Sequence, residues 1–287
     1  MSDDNIIHVD FEPAEVDNHY RAEVEVVCDI AAALWEINEQ IGDSISYESP
    51  EFEHLRKHMV YELGLDLCGC ADGEPDLHEE AGKLREAREV VTTDRFPMTP
   101  QRILCDLRRF MDDTDILISD VGAHKMWIAR HYPAFSPNTV IISNGFCSMA
   151  IALPGAIGAK MVHPDCKVVG LCGDGGFLMN VQELATAVQY EVPSITLVWE
   201  DHEYGLIAWK QEVQFGRTSH TSFRNPDLVA LSRSFGAFAR RVESAEDFLV
   251  AMEEAAAETK RPSVVVVPVD YSENVKLTDR LGKLLAH

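Results

Sequence analysis

The segment Gly173-Asp174-Gly175-Gly176-Phe177 follows an apolar run, Lys167 to Cys172, and precedes a helical pattern that starts after Asn180. Glycines there let the backbone turn tightly and bare its amides. A helix start adds the positive end of a dipole, and together they make a site for a diphosphate. Twenty-seven residues after Asp174 comes Asp201, which with Glu200 closes a second apolar run, Ser194 to Trp199. Consecutive strands joined by one right-handed crossover are commonly neighbours, which would set Asp174 and Asp201 side by side. Two carboxylates beside a phosphate repel one another unless a cation joins them. Mg2+ suits that setting, because it takes a few carboxylates together with phosphate oxygens and water. On spacing alone, two turn or helix-cap aspartates fit as well.

The elements around these residues alternate. Met98-Thr99-Pro100 opens a helix that runs to about Met111, and Asp115 to Ser119 and Val140 to Ser143 read as strands. Ser148 to Val162 is a small-residue helix able to pack closely. Lys167 to Cys172 is a strand. Val181 to Tyr190 is a helix, with Asn180 as N-cap and Glu183 completing a capping box. Further on come the strand Ser194 to Trp199, helix Pro226 to Phe235, strand Ala237 to Val242, helix Ala245 to Thr259 and strand Ser263 to Val269. Strands separated by helices imply an α/β fold, a doubly wound parallel sheet with helices on both faces. Such sheets bind ligands at the carboxyl ends of their strands. This domain is expected over 96–287. Residues 1–42 form a small α/β piece, with a helix from Asp29 to Ile41 stopped by Gly42. Residues 43–95 read as a helical linker, with Leu55 to Leu63 and Leu77 to Val91 as its helices.

Composition narrows the class of partner. The formal net charge is −23, so binding of nucleic acid by a basic face is disfavoured. A solvated acidic surface and a salt-loving source both fit that balance. No run reaches the ~18 to 20 apolar residues of a membrane span, and the acidic N-terminus has no signal layout. A cytoplasmic protein is expected. The seven cysteines are scattered, apart from Cys68-Gly-Cys70 with His54, His58 and His78 nearby. A second cysteine pair for zinc is missing, and reduced thiols are the default expectation.

Gly173-Asp174-Gly175 with Asp201 resembles the GDG…NN motif of thiamine-diphosphate-dependent enzymes. In that family an Asp, an Asn or Asp, and a main-chain carbonyl two residues later hold magnesium. The resemblance implies Asp174, Asp201 and the carbonyl of Glu203 as metal ligands, with Glu200 departing from the usual Asn. Asp120-Val-Gly-Ala-His-Lys-Met-Trp127, Ile142-Ser-Asn-Gly145, Met149-Ala-Ile-Ala-Leu-Pro154 and Ala156-Ile-Gly-Ala159 look like stretches of acetolactate synthases. Val267-Pro-Val-Asp-Tyr-Ser-Glu-Asn274 resembles the end of their FAD-independent, catabolic type.

What the resemblance implies is thiamine diphosphate and Mg2+ as cofactors and carboligation of 2-oxo acids, pyruvate to 2-acetolactate with release of CO2. Gly122, Ala123 and His124 would meet the diphosphate from one side and Gly173, Gly175 and Gly176 from the other, with Cys147 and Tyr204 also in contact with the cofactor. Met149 would wedge beneath the cofactor and keep its rings bent. Lys210, where relatives carry Trp or Gln, would reach for the carboxylate of an acceptor 2-oxo acid. By pattern alone Met149 reads as core, His124 as a surface histidine after a strand, and Lys210 as a solvated helix lysine beside Glu212.

In this family a glutamate from a separate N-terminal domain activates the pyrimidine ring. Nothing before Phe96 resembles that domain, while Ile6 to Pro13 and Val24 to Leu34 resemble the end of the family's middle domain. The expectation is a split subunit or truncated product that needs a homo-oligomer or a separate chain to supply the pyrimidine-binding domain. The other readings are a 2-oxo-acid decarboxylase subunit and a cofactor-binding or assembly subunit without turnover.

Overall fold

Short β-branched runs make the strands, and helices with apolar sides cover them. The computed structural model describes residues 7–11, 23–41, 89, 91–274 and 277. The chain divides into two units, Met1–Arg56 and Lys57–His287. In the first, β1 (Ile7–Asp10) and β2 (Val24–Val27) pair in parallel, with Ile7 opposite Val24. Helix α1 (Ile30–Ile41) follows, its first turn held by Asp29, whose carboxylate accepts from the amide of Ala32 at 2.8 Å. Of the expected apolar face, Ala33 is buried, whereas Ile30, Leu34 and Ile37 are exposed. The linker helices expected at Leu55 to Leu63 and Leu77 to Val91 fall outside the described residues, apart from Glu89 and Val91, and so does the Cys68-Gly-Cys70 cluster.

The second unit runs α2 (Pro100–Phe110), β3 (Ile116–Ser119), α3 (Ala123–His131), β4 (Val140–Ile142), α4 (Ala152–Val162), β5 (Val168–Gly173), α5 (Asp174–Asn180) and α6 (Glu183–Gln189). It continues with β6 (Ile195–Glu200), α7 (Gly205–Phe215), α8 (Leu228–Ser234), β7 (Phe238–Arg241), α9 (Asp247–Ala256) and β8 (Ser263–Pro268). The sheet is parallel throughout, in the order β4-β3-β5-β6-β8-β7. Leu171, Leu197 and Val265 point to one face, against Leu104 of α2, Ile128 of α3 and Phe248 of α9. Cys172, Val198 and Val266 point to the other, against Leu153 of α4, Phe177 of α5 and Leu184 of α6. That alternation gives the doubly wound fold read from the sequence. Each fully buried Leu or Val contributes about 1.5–3 kcal/mol, and Leu197→Ala would cost roughly 2–5 kcal/mol.

Four local expectations are corrected. The helix expected from Ser148 begins at Ala152, because Ala150 takes a left-handed backbone with φ 74° that a helix cannot contain. Asn180 does not cap a following helix: it ends α5, which starts directly at Asp174, and its side chain turns to the carbonyl of Ala150. The residues read only as the loop Asp120–Trp127 already include the first turn of α3, buried at Ala123, His124, Trp127 and Ile128, a mixture without a clean apolar stripe. Finally, Cys105 is disulfide-bonded, while Cys28, Cys147, Cys166 and Cys172 are free; spacing in the sequence does not reveal which cysteines approach to bonding distance.

Candidate functional site

From β3 the chain passes outward to β4, then returns across β3 to β5 and continues the other way to β6. The reversal opens a crevice at the carboxyl ends of β3 and β5, where such sheets bind ligands. A cavity of about 210 Å3 lies there. Each residue singled out for cofactor contact lines it: Gly122, Ala123 and His124 after β3; Cys147 and Met149 before α4; Gly173, Asp174, Gly175 and Gly176 after β5; and Asp201, Glu203 and Tyr204 after β6. Lys210 does not line it. That residue is exposed on α7.

Asp174 and Asp201 leave neighbouring strands, since Gly173 is the register partner of Trp199. Asp174 is fully buried. Its Oδ1 accepts from the amide of Gly175 at 2.8 Å, and its Oδ2 accepts from His202 N at 2.8 Å, Asn225 Nδ2 at 2.7 Å and Asp201 N at 3.3 Å. Burial, then the charges of Asp174 and Glu203, push the Asp201 carboxyl up to about 7. On the usual scale of about 1.4 kcal/mol per pKa unit, that is roughly 4 kcal/mol against its ionisation, which a cation between the two carboxylates would offset.

The side chain of Glu203 is engaged elsewhere, accepting from Thr221 Oγ1 at 2.7 Å and Ser222 Oγ at 3.3 Å. The bridge between Glu203 and Ser222 uses the carbonyl of His202 and the amide of Tyr204, leaving the Glu203 carbonyl out of it. Two carboxylates and a main-chain carbonyl are what the residues offer a cation. Among the described residues no group of three His, Cys, Asp or Glu side chains is set to hold a metal. Glu200 forms an ion pair with Arg241 and accepts from Asn225 at 3.4 Å, which explains the departure from Asn: its carboxylate serves β7 and Asn225.

The opposite wall suits an anion. Helix α3 opens at Gly122 with no side-chain cap, so its first amides are left for a ligand. His124 is buried, and its Nε2 has no partner. Burial lowers its pKa to about 4 despite a hydrogen bond with the Asp120 backbone. An unpartnered buried nitrogen beside an uncapped helix start fits a phosphate oxygen, whose charge would draw a second proton to the ring. Gly122 is required for this arrangement, because a Cβ there would fall 2.6 Å from His124 Cε1.

Two of these glycines also make room for their neighbours. A Cβ on Gly175 would meet the Tyr204 ring at 2.8 Å, and one on Gly176 would meet Asp120 Oδ2 at 2.4 Å. They let neighbouring elements close up around the cavity. Sequence reasoning missed Asn225, Asp120 and Tyr271. Tyr271 lines the cavity, and burial, then the charges of Asp201 and Asp174, hold its hydroxyl well above the usual range. Its one signal in the sequence was its place in Val267-Pro-Val-Asp-Tyr-Ser-Glu-Asn274.

Fold and geometry together define a doubly wound parallel-sheet domain whose cavity at the carboxyl edge is lined by two aspartates and by an uncapped helix start. Residues 120–267 match the family model described as thiamine pyrophosphate enzyme, C-terminal TPP binding domain. The chain is 34% identical over 282 residues to an acetolactate synthase of Bacillus subtilis, covering 98% of this chain and 45% of that one. It is 32% identical to a catabolic acetolactate synthase of Raoultella terrigena, covering 96% of this chain and 45% of the other. A solved thiamine diphosphate-dependent 4-hydroxybenzoylformate decarboxylase of Rhodococcus jostii superposes with a TM-score of 0.68 at 19% identity, over 94% of this chain and 44% of that one; this likeness speaks for the fold. The chain belongs to the thiamine-diphosphate-dependent enzymes, as their C-terminal, cofactor-binding domain. It spans about 45% of the length of these curated relatives.

Proposed function

We propose that the cavity binds the diphosphate end of thiamine diphosphate through Mg2+, for carboligation of 2-oxo acids: pyruvate to 2-acetolactate with release of CO2. The observation that carries this reading is one cavity lined both by Asp174 and Asp201 and by Gly122, Ala123 and His124 at the uncapped start of α3. Asp174, Asp201 and the Glu203 carbonyl would hold the metal, and His124 with the amides of Gly122 and Ala123 would hold the phosphates. Met149, Tyr204 and Cys147 would border the rings. The bound cofactor supplies the carbanion chemistry, while the protein binds, orients and keeps water out.

The cavity, at about 210 Å3, is smaller than the ~300–1,000 Å3 of complete ligand sites. The activating glutamate and the other wall of the site would come from a pyrimidine-binding domain. Without that glutamate, proton transfer at the ring loses roughly 10²- to 10⁴-fold. The test is an assay of acetolactate and acetaldehyde formed from pyruvate with thiamine diphosphate and Mg2+. It compares the chain alone with the chain plus an acetolactate synthase N-terminal domain. Acetolactate made only in the mixture is expected. Acetaldehyde as the main product would turn the reading to a decarboxylase, and robust acetolactate from the chain alone would refute the need for a partner.

A further inference from the structure

Ala150 has a left-handed backbone, φ 74°, which is unfavourable for a residue with a Cβ. The peptide is gripped on both sides. Its N–H donates to Asp120 Oδ2 at 2.9 Å, and its carbonyl accepts from Asn180 Nδ2 at 3.0 Å. The next amide, that of Ile151, donates to Asp120 Oδ1 at 3.3 Å, and Val121 N–H donates to the same oxygen at 2.7 Å. Asp120 is fully buried, so three oriented amides solvate its carboxylate in place of water. Gly176 leaves room for it, since a Cβ there would overlap Asp120 Oδ2 at 2.4 Å. Segments after β3, before α4 and at the end of α5 thus converge on the residue that follows Met149. The Met149 side chain lines the cavity but is 37% exposed, so its backbone, more than its packing, sets where it stands.

We infer that Asp120 and Asn180 are positioning residues that hold Ala150 in its left-handed turn and thereby place Met149 against the ring end of the cofactor. The inference rests on the proposed cofactor. It assigns Asp120 no contact with ligand or metal. Its consequence is a split: loosening the clamp affects ligands that carry rings and spares those that are only a diphosphate, whose contacts lie at α3 and Asp174.

The test titrates the full 287-residue chain by calorimetry with two ligands, Mg2+·thiamine diphosphate and Mg2+·pyrophosphate. Asp120→Asn places an amide NH2 among three N–H donors. It is expected to weaken thiamine diphosphate roughly tenfold, the scale of one charge-assisted hydrogen bond, to leave pyrophosphate unchanged, and to speed hydrogen exchange at 149–151. Ala150→Gly, which removes the penalty of the left-handed turn, should restore part of the affinity in the Asp120→Asn background. Should Asp120→Asn fail to fold, Asn180→Ala, at a half-buried position, carries the same expectation. Equal weakening of both ligands, or unchanged thiamine diphosphate affinity with unchanged exchange, overturns the clamp. Absence of binding by the unsubstituted chain to either ligand overturns the cofactor reading instead, and hydrogen exchange at 149–151 still decides the clamp.

Discussion

Asn225 donates to Oδ2 of Asp174 at 2.7 Å from 51 residues along the chain, and so fixes the orientation of a fully buried carboxylate. The same Nδ2 reaches Glu200 at 3.4 Å, tying the acidic pair to the Glu200–Arg241 ion pair. Outer partners of this kind set the direction of a metal ligand's lone pairs. Asn225→Ala should weaken Mg2+-dependent binding of thiamine diphosphate by roughly 10- to 100-fold. Calorimetry on a variant whose circular dichroism matches the parent checks this, and unchanged affinity would leave Asn225 with a purely structural part.

Metal affinity should depend on pH around the Asp201 value. Its carboxyl is raised to about 7, so below that pH a proton occupies the oxygen that a cation needs. Cation binding must expel it, and affinity should fall by up to about tenfold for each pH unit below 7. Mn2+ titrated without cofactor and read by electron paramagnetic resonance should bind more tightly at pH 8 than at pH 6, levelling off above about 7. A flat profile would contradict the assignment of Asp201.

Lys210 is exposed on α7 and lies off the cavity. Lys210→Gln should therefore leave thiamine diphosphate affinity within about twofold of the parent, as is usual for surface substitutions away from a site. In the reconstituted enzyme it should shift the preference among 2-oxo acids. Identical product ratios would remove Lys210 from the acceptor site.

The pairing of Asp174 with Asp201 was legible because its logic is topological. Two strands joined by one crossover become neighbours, and Asp174 and Asp201 follow from the ends of β5 and β6. The clamp was not legible. Small residues from Ser148 onward have a helical pattern, and the left-handed Ala150 that interrupts it depends on Asp120, some 30 residues away. Asn180 followed by Glu183 imitates a capping box, but α5 has already begun at Asp174, and the Glu183 carboxylate accepts instead from Thr186 Oγ1 at 3.1 Å. Asn225 reaches Asp174 through a loop with no periodic pattern, so nothing in its spacing pointed to the site. Glu200 looked like a defect in a motif until β7 placed Arg241 beside it.

In the function proposed above, Asp174 and Asp201 hold the cation that anchors the diphosphate. Titration of thiamine diphosphate into the full chain, with Mg2+ and with a chelator, tests it directly in the parent, Asp174→Ala and Asp201→Ala proteins. Binding should require Mg2+ in the parent and should be lost in both variants, together with the thermal stabilisation that cofactor and metal confer, about 2.7 kcal/mol at a hundredfold excess over Kd. Undiminished, Mg2+-dependent binding by a folded Asp201→Ala protein would show that Asp201 does not hold the cation.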